Sequence, residues 1–358
     1  MKIYKGIGMM SGTSLDGLDL VYCHIWKPLS RWEFKIERTK SIPYSKTRVN
    51  RLQEAIRLPA DQLLCLHNEY GTWLGEQVGR FIEKEKLEVD FVSSHGHTVH
   101  HQPSKGLTFQ IGSGQHLANA CGIKTICDYR TNDVALGGQG APLVPIGDHM
   151  LFGSYDFCLN LGGISNISFV LDDKRIAYDI GIANMLLNYI AAGKGLTYDK
   201  GGALARKGSL LPQLFEQLNS LDYYALPYPK STGYEWFSKE IVPLIKAQDA
   251  SIESLLHTSV HHICEQIARQ LKLLTIKKEK TLLITGGGAF NTYLTEVLQD
   301  KLEKKIKLEI PSNQLIEFKE ALIFCLMGVL RLEQEINVLH SVTGASKDSS
   351  SGVVFLPC

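Results

Sequence analysis

The sequence predicts an α/β protein of two similar lobes, and three observations carry that expectation. At 358 residues the chain exceeds a typical single domain. A strand–turn–strand meander at the start returns from residue 155 with its turn in step, Gly12 aligning with Gly162 and Asp16 with Asn166. Three glycine turns close apolar strands, one in each meander and a third at Gly286, Gly287 and Gly288. The lobes are expected to span about 1–130 and about 131–340, with a tail at about 341–358 packing back on the first.

Residues 6–23, GIGMMSGTSLDGLDLVYC, set two apolar runs around a turn of two glycines, three hydroxyls and one acid. The run 32–44, WEFKIERTKSIPY, extends this into an antiparallel meander. From 59 to about 86, Leu63, Leu64, His67, Tyr70, Leu74, Val78 and Phe81 recur at three- and four-residue steps, which predicts a helix. Residues 89–101, VDFVSSHGHTVHH, begin as a short buried strand and leave it through a polar loop. GLTFQIGSG is strand and turn, GQHLANACG a short helix ended by Gly122, and IKTICDYR a buried strand. LGGQGAPLVP, residues 136–145, is glycine- and proline-rich and hinge-like.

After this stretch, residues 155–181 again read strand, glycine turn, strand, tight turn, strand. A helix follows over 251–274, then KTLLITGGGAFNTYL as buried strand, three glycines and helix start. Residues 317–335 form a last long helix, and 341–352, SVTGASKDSSSG, a polar mobile stretch.

Composition narrows the function. Hydrophobic content of 44% and charged content of 21% suit a globular protein with a real core, and a net charge of +1 argues against a nucleic-acid partner. Eight scattered cysteines include no C-x-x-C pair, so they read as small buried hydrophobes in a reducing cytosol. The N-terminus has no leader-like apolar region and the chain no long apolar run, which predicts a cytoplasmic protein without a membrane span. There is no G-x-x-x-x-G-K-[ST], and GGGAFN lacks the third glycine of a dinucleotide fingerprint.

The glycine turns point to phosphate. Without a Cβ, backbone N–H groups can converge on an anion, and neighbouring hydroxyls add donors. Asp16, at the first hairpin tip, reads either as an Asx-turn residue or as a magnesium ligand acting beside phosphate oxygens. Asp19 buttresses the turn. Asp179 ends the apolar strand IAYDIG; a carboxylate there is costly unless used, making it the candidate general base, with a helix cap as the plainer role. Arg130 offers a fork for a carboxylate or phosphate, or a surface ion pair with Asp133. His95, His97, His100 and His101 lack a metal-binding pattern and read as donors to a ligand. The loop PYPKSTGYEWF, 227–237, is either surface or substrate-contacting, and Glu320 sits near a helix start.

GMMSGTSLDGLD, SSHGHTVHH, TFQIGSG, CDYRTNDVALGGQGAPLVP, LNLGGISNIS, YDKGG, PKSTGYE, GGGAFN, the Glu320–Ala321 pair and VTGA together resemble the anhydro-N-acetylmuramic acid kinase family, over nearly the whole chain. The resemblance implies a two-lobed ribonuclease-H-like (actin-like ATPase) fold with an interlobe active-site cleft, using ATP and Mg²⁺. It implies that 1,6-anhydro-N-acetylmuramic acid, a small amino sugar, is opened by water and phosphorylated at O6, in murein recycling. By position, Gly12, Thr13, Ser14, Leu15, Asp16, Gly17, Leu18 and Asp19 would bind ATP, with Asn160, Gly162, Gly163, Gly286, Gly287 and Gly288 grouped with them. Asp16 would hold the metal, Asp179 act as base, and Thr98, Arg130 and Glu320 line the sugar site. The family's D-x-G-P-x-N reads Asp179-Ile-Gly-Ile-Ala-Asn184 here; Ile182 lacks proline's preset φ, which bears on loop rigidity and sugar fit.

Two other readings compete. One is another sugar kinase of the same fold. The other is a nucleotide-switched chaperone, which would carry a peptide-binding domain after the ATPase; the chain ends about 14 residues past VTGA, too few for one. The oligomeric state is left open, a homodimer included.

Overall fold

Strand β1 (Ile3–Met10) buries Ile7 and Met9 and pairs antiparallel with β2 (Gly17–Trp26), which pairs with β3 (Glu33–Pro43). In the computed structural model, which describes all residues except 13–14, 275–278 and 303–304, this meander is one edge of a six-stranded sheet. On the other side of β1, β4 (Phe91–Ser94) runs parallel to it. A separate two-stranded ribbon follows, β5 (His97–Gln102) with β6 (Leu107–Ile111). Strand β7 (Thr125–Cys127) then runs parallel to β4. The predicted helix spans Ala60–Glu85 and buries Leu63, Tyr70, Leu74, Val78 and Phe81 against this sheet's core. It starts after Pro59 and stops at Lys86, whose φ of 52 closes it.

The plan repeats in the second unit. Strands β8 (Phe157–Leu161), β9 (Ile164–Leu171) and β10 (Lys174–Ile182) form the antiparallel meander, with Asp172 and Asp173 both at positive φ in the tight turn. Strand β11 (Lys280–Thr285) lies parallel to β8, and β12 (Ile306–Glu309) parallel to β11. The order β10-β9-β8-β11-β12 matches β3-β2-β1-β4-β7 strand for strand and direction for direction. The helix Ile252–Leu273, capped by Ser251, buries one face in this unit's core. The last long helix, Asn313–Leu332, begins earlier than its apolar pattern suggested. The final strand β13 (Val353–Phe355) adds to β7.

The units are Met1–Gly153 with Phe318–Cys358, and Ser154–Glu317, so the divisions fall later and earlier than the expected 130 and 340. Residues 131–153 stay with the first unit because Asp148 forms a buried 2.7 Å ion pair with Lys319, and Gly147 packs on Ile323. The stretch 341–352, read as polar and mobile, is packed: Thr343, Ser349 and Ser351 are buried, and Ser351 and Asn337 exchange hydrogen bonds. Its polarity serves internal satisfaction rather than solvent. Among the described residues no helix is long and apolar enough to cross a membrane.

Candidate active site

In each unit the glycine turns stand at the carboxyl ends of the central parallel pair, where open α/β sheets present ligand sites. In the first unit β1 runs into Ser11 and Gly12. Leu15 adopts φ 60 and donates its N–H to the Gly12 carbonyl at 3.3 Å, while the Tyr44 N–H donates to the Asp16 carbonyl at 3.2 Å. Thr13 and Ser14 lie outside the described residues. The Asp16 side chain is exposed. Leu18 differs in kind from its neighbours: its side chain is core, so only its backbone is available. Asp19 accepts from the Ser41 hydroxyl on β3.

The carboxyl end of β4 carries His95, tied back to β1 by its N–H to the Met9 carbonyl. His95 accepts from Arg130 at Nε2, from Nε at 3.2 Å and Nη2 at 2.9 Å, so its proton sits on Nδ1 and goes to the Gly96 carbonyl. Burial, then the Arg130 charge, pulls the imidazole down to about 3, which keeps it an acceptor. Arg130 also donates to the Gly140 carbonyl, and burial lowers it to about 10. The plainer alternative for Arg130, a surface ion pair with Asp133, does not form. Asp133 is fully buried and accepts from the Gly140 N–H and the Thr343 hydroxyl, each at 2.7 Å. Arg130 is thus aimed by an imidazole and a carbonyl rather than neutralised by a carboxylate.

Glu320 reaches this cluster because Gly8 lets the Asn313–Leu332 helix lie directly on β1; a Cβ there would stand 1.9 Å from the Ala321 carbonyl oxygen. Solvent touches Glu320, yet protein atoms crowd it enough to push its carboxyl above the ordinary glutamate range. Lys319 and Arg130 pull it down and Asp19 pushes it up, so Asp19, Arg130 and Glu320 share one electrostatic neighbourhood. Thr98 lies on β5 and accepts from Gln110 at 3.4 Å. The histidines expected on a loop lie partly on this strand. Among the described residues no three His, Cys, Asp or Glu side chains form a metal cluster. His97 bonds Ser11, and His101 bonds Thr108.

In the second unit the β8–β9 turn and the turn after β11 meet. Gly286 has φ 81, and a Cβ on it would stand 2.4 Å from Asn160 Oδ1. Asn184 donates to the Leu161 carbonyl at 2.8 Å, and its own N–H donates to the Gly162 carbonyl. Gly163 and Gly287 are exposed, with nothing closer than 3.8 and 3.9 Å to where a Cβ would sit, so an anion can approach their backbone. Asp179 stands at a bulge near the end of β10. Its carboxylate accepts from the Thr232 N–H at 3.1 Å, its N–H donates to the Lys230 carbonyl, and its carbonyl accepts from the Tyr223 hydroxyl at 2.8 Å. Burial raises its pKa above the ordinary aspartate range, and the Thr232 bond only partly offsets this. It caps no helix: the following helix, Asn184–Ala191, has no side-chain cap. Ile182 is 2% exposed and pairs with Ile164 in the β10–β9 ladder.

The proline loop, expected as either surface or substrate-contacting, is tied to Asp179 through Lys230 and Thr232. His95 as the partner of Arg130, and Tyr223 behind Asp179, were not foreseen. No local signal connects residues so distant along the chain.

Two units of one strand plan, with glycine turns at matching strand ends, define a duplicated ribonuclease-H-like α/β protein, the architecture of actin-like ATPases. The chain belongs to the anhydro-N-acetylmuramic acid kinase family, whose model matches residues 4–357. Relatives of that name from Aliivibrio fischeri and Nitrosomonas europaea are 35% and 32% identical, each covering 98% of this chain and 99% of the relative. Among solved structures, (R)-2-hydroxyglutaryl-CoA dehydratase component A of Acidaminococcus fermentans is 11% identical at TM-score 0.44, over 90% of this chain and 96% of that one. The ROK hexokinase of Thermus thermophilus is 13% identical at TM-score 0.40, over 92% and 100%.

Proposed function

We propose that the protein is a carbohydrate kinase that opens the 1,6-anhydro ring of anhydro-N-acetylmuramic acid with water and transfers the γ-phosphoryl group of ATP to O6. The observation that carries this reading is the Asp179 carboxylate: oriented by one backbone N–H, raised in pKa, and with no cation within ion-pair distance among the described residues. A carboxylate so placed accepts a proton readily. Asp179 takes it from water as the water oxygen bonds to C1. The C1–O6 bond breaks, O6 bonds to the γ-phosphorus, and ADP leaves with the bridging oxygen. The products are N-acetylmuramic acid 6-phosphate, the proton on Asp179, and ADP.

The phosphates are assigned to Gly12, Thr13, Ser14, Leu15, Asp16, Gly17, Leu18 and Asp19, and to Asn160, Gly162, Gly163, Gly286, Gly287 and Gly288. The uncovered backbone at Gly163 and Gly287 fits an anionic ligand. The exposed Asp16 fits Mg²⁺, which takes one or two carboxylates beside phosphate oxygens and waters, and which when bound neutralises phosphate charge. Thr98, Arg130 and Glu320 are assigned to the sugar, Arg130 to its lactyl carboxylate. The reaction is placed in the cytoplasm, where the eight unbridged cysteines stay reduced, as a step of murein recycling.

The test is incubation with the anhydro sugar, MgATP and ¹⁸O-water. The expected result is ¹⁸O at C1 and phosphate on O6. Activity on a simple hexose but not on the anhydro sugar, or labelled inorganic phosphate without sugar product, overturns the reading.

A further inference from the structure

His262 is a fully buried imidazole that the reaction above does not use. It stands on the helix Ile252–Leu273, and both of its ring nitrogens are bonded. Nδ1 lies 2.9 Å from Asn219 Oδ1, which also accepts from the Gln266 side-chain amide, while the Asn219 amide nitrogen donates to the Phe215 carbonyl. Asn219 therefore faces His262 with an acceptor, so the ring proton sits on Nδ1 and Nε2 is bare. Burial keeps the ring neutral, holding its pKa down at about 3. The bare Nε2 accepts the proton of the Tyr224 hydroxyl, 3.0 Å away, and the two rings meet edge to face at 5.0 Å. The orientation of the Tyr224 ring is thus dictated from the core.

The Tyr224 ring lies against Gly181, two residues past Asp179 at the β10 bulge: a Cβ there would stand 2.5 Å from the ring and 3.0 Å from its hydroxyl oxygen. Its neighbour Tyr223 donates to the Asp179 carbonyl at 2.8 Å. Trp236, on the loop that supplies Thr232, packs on Tyr223 and Tyr224 with ring centroids at 5.0 and 5.8 Å. The Lys230 ammonium closes the circuit. It donates to the Tyr223 and Tyr224 carbonyls at 3.2 and 3.4 Å, while the Lys230 carbonyl accepts the Asp179 N–H. We propose that His262 and Tyr224 are positioning residues of the reaction: they brace the bulge and the 227–237 loop, so that the Asp179 carboxylate stays on the Thr232 N–H and shielded from solvent. Without the Tyr224–His262 bond a buried nitrogen is left unpaired, and the tyrosine ring is free to turn away from Gly181. This deepens the kinase reading above and rests on Asp179 as its base.

The test is the single-turnover rate of the full-length protein with MgATP and the anhydro sugar, taken across pH, beside binding of a non-hydrolysable MgATP analogue. Tyr224→Phe deletes one oxygen, and His262→Leu removes the acceptor for it. Each is expected to lower the rate by about 10–100-fold, with analogue affinity within about twofold of wild type. Burial is what raises the Asp179 carboxyl, so solvent admitted to it is expected to move the acid limb of the rate profile to lower pH. A merely structural role lowers the melting temperature without moving that limb. His262→Gln keeps a donor toward Asn219 and an acceptor toward Tyr224, and is expected to return the rate to within about threefold of wild type and the limb to its place. Where His262→Leu fails to fold, Tyr224→Phe carries the test. A wild-type rate and limb in folded Tyr224→Phe, a slowed variant whose limb stays in place, or no recovery in folded His262→Gln overturns the proposal alone. A wild type that forms no sugar phosphate, or an Asp179→Asn variant that keeps its activity, overturns the reading on which it rests.

Discussion

The Asp179 carboxylate accepts the Thr232 backbone N–H at 3.1 Å, a bond between residues 53 positions apart. The Lys230 carbonyl of the same loop accepts the Asp179 N–H, and the Tyr223 hydroxyl donates to the Asp179 carbonyl, so backbone and side chain are fixed together. A side chain held this way has little orientation left to lose on reaching a transition state.

Asp179→Asn keeps the shape and the acceptor for Thr232 but removes the base. Product formation is expected to fall by about 10²–10⁴-fold. Affinity for a MgATP analogue is expected to stay within about twofold, since the lost group acts on water and not on phosphate. Single-turnover rates together with analogue binding check both. A variant retaining most of its activity would remove Asp179 from the base role.

The same substitution carries a stability prediction. The native pKa of Asp179 lies above the ordinary 3.8, so the folded chain holds this proton more tightly than the unfolded chain. Through the window between those two values stability falls as pH rises, and above it the wild type bears the full penalty of a desolvated charge. Asparagine bears none. Asp179→Asn is therefore expected to melt higher than the wild type at neutral pH, with the gap closing as pH falls through the native pKa toward 3.8. Thermal scans across pH check the sign; a gap that widens on acidification contradicts it.

Arg130 presents a fork whose orientation depends on His95. Lysine cannot make the paired contact, so Arg130→Lys is expected to raise the sugar KM by about 10–100-fold, with the ATP KM within about twofold. His95→Leu is expected to move the sugar KM the same way, and His95→Gln, which can place an acceptor near the imidazole Nε2 position, to move it less. Initial rates varying each substrate in turn separate the effects.

What the sequence disclosed follows the range of its signals. The meanders, the helix at Ala60–Glu85 and the glycine turns rest on periodicity and turn chemistry within a few residues, and they were legible. The strand at His97–Gln102 reads as a loop in the sequence because three histidines mask its pleat, and its pairing with β6 supplies what propensity does not. The unit boundaries differ from the expected ones because Lys319 and Asp148, which hold 131–153 in the first unit, pair across nearly half of the chain. Asp179 was found because an acid ending an apolar strand is locally anomalous. Thr232, Tyr223 and His95 were not, because each is ordinary in its own stretch and acquires its role only from a distant partner.

Gly286 answers two demands that only a glycine can meet. Its φ of 81 strains any side chain, and a Cβ would press on Asn160 Oδ1 at 2.4 Å and the Leu161 carbonyl carbon at 2.8 Å. Gly286→Ala is expected to cost about 1–3 kcal/mol from the backbone alone, because φ 81 with ψ 164 is a region that essentially only glycine adopts. To relieve the contact the turn must withdraw from β8, which moves Gly287 away from Asn184 and separates the two turns assigned to phosphate. The expected signature is a raised KM for ATP with an unchanged KM for the sugar. Gly163→Ala, where a Cβ meets nothing closer than 3.8 Å, is the control: it adds bulk over exposed backbone without strain, so it is expected to weaken ATP while leaving the melting temperature in place. If both variants bind ATP as the wild type does, phosphate does not sit on these glycines.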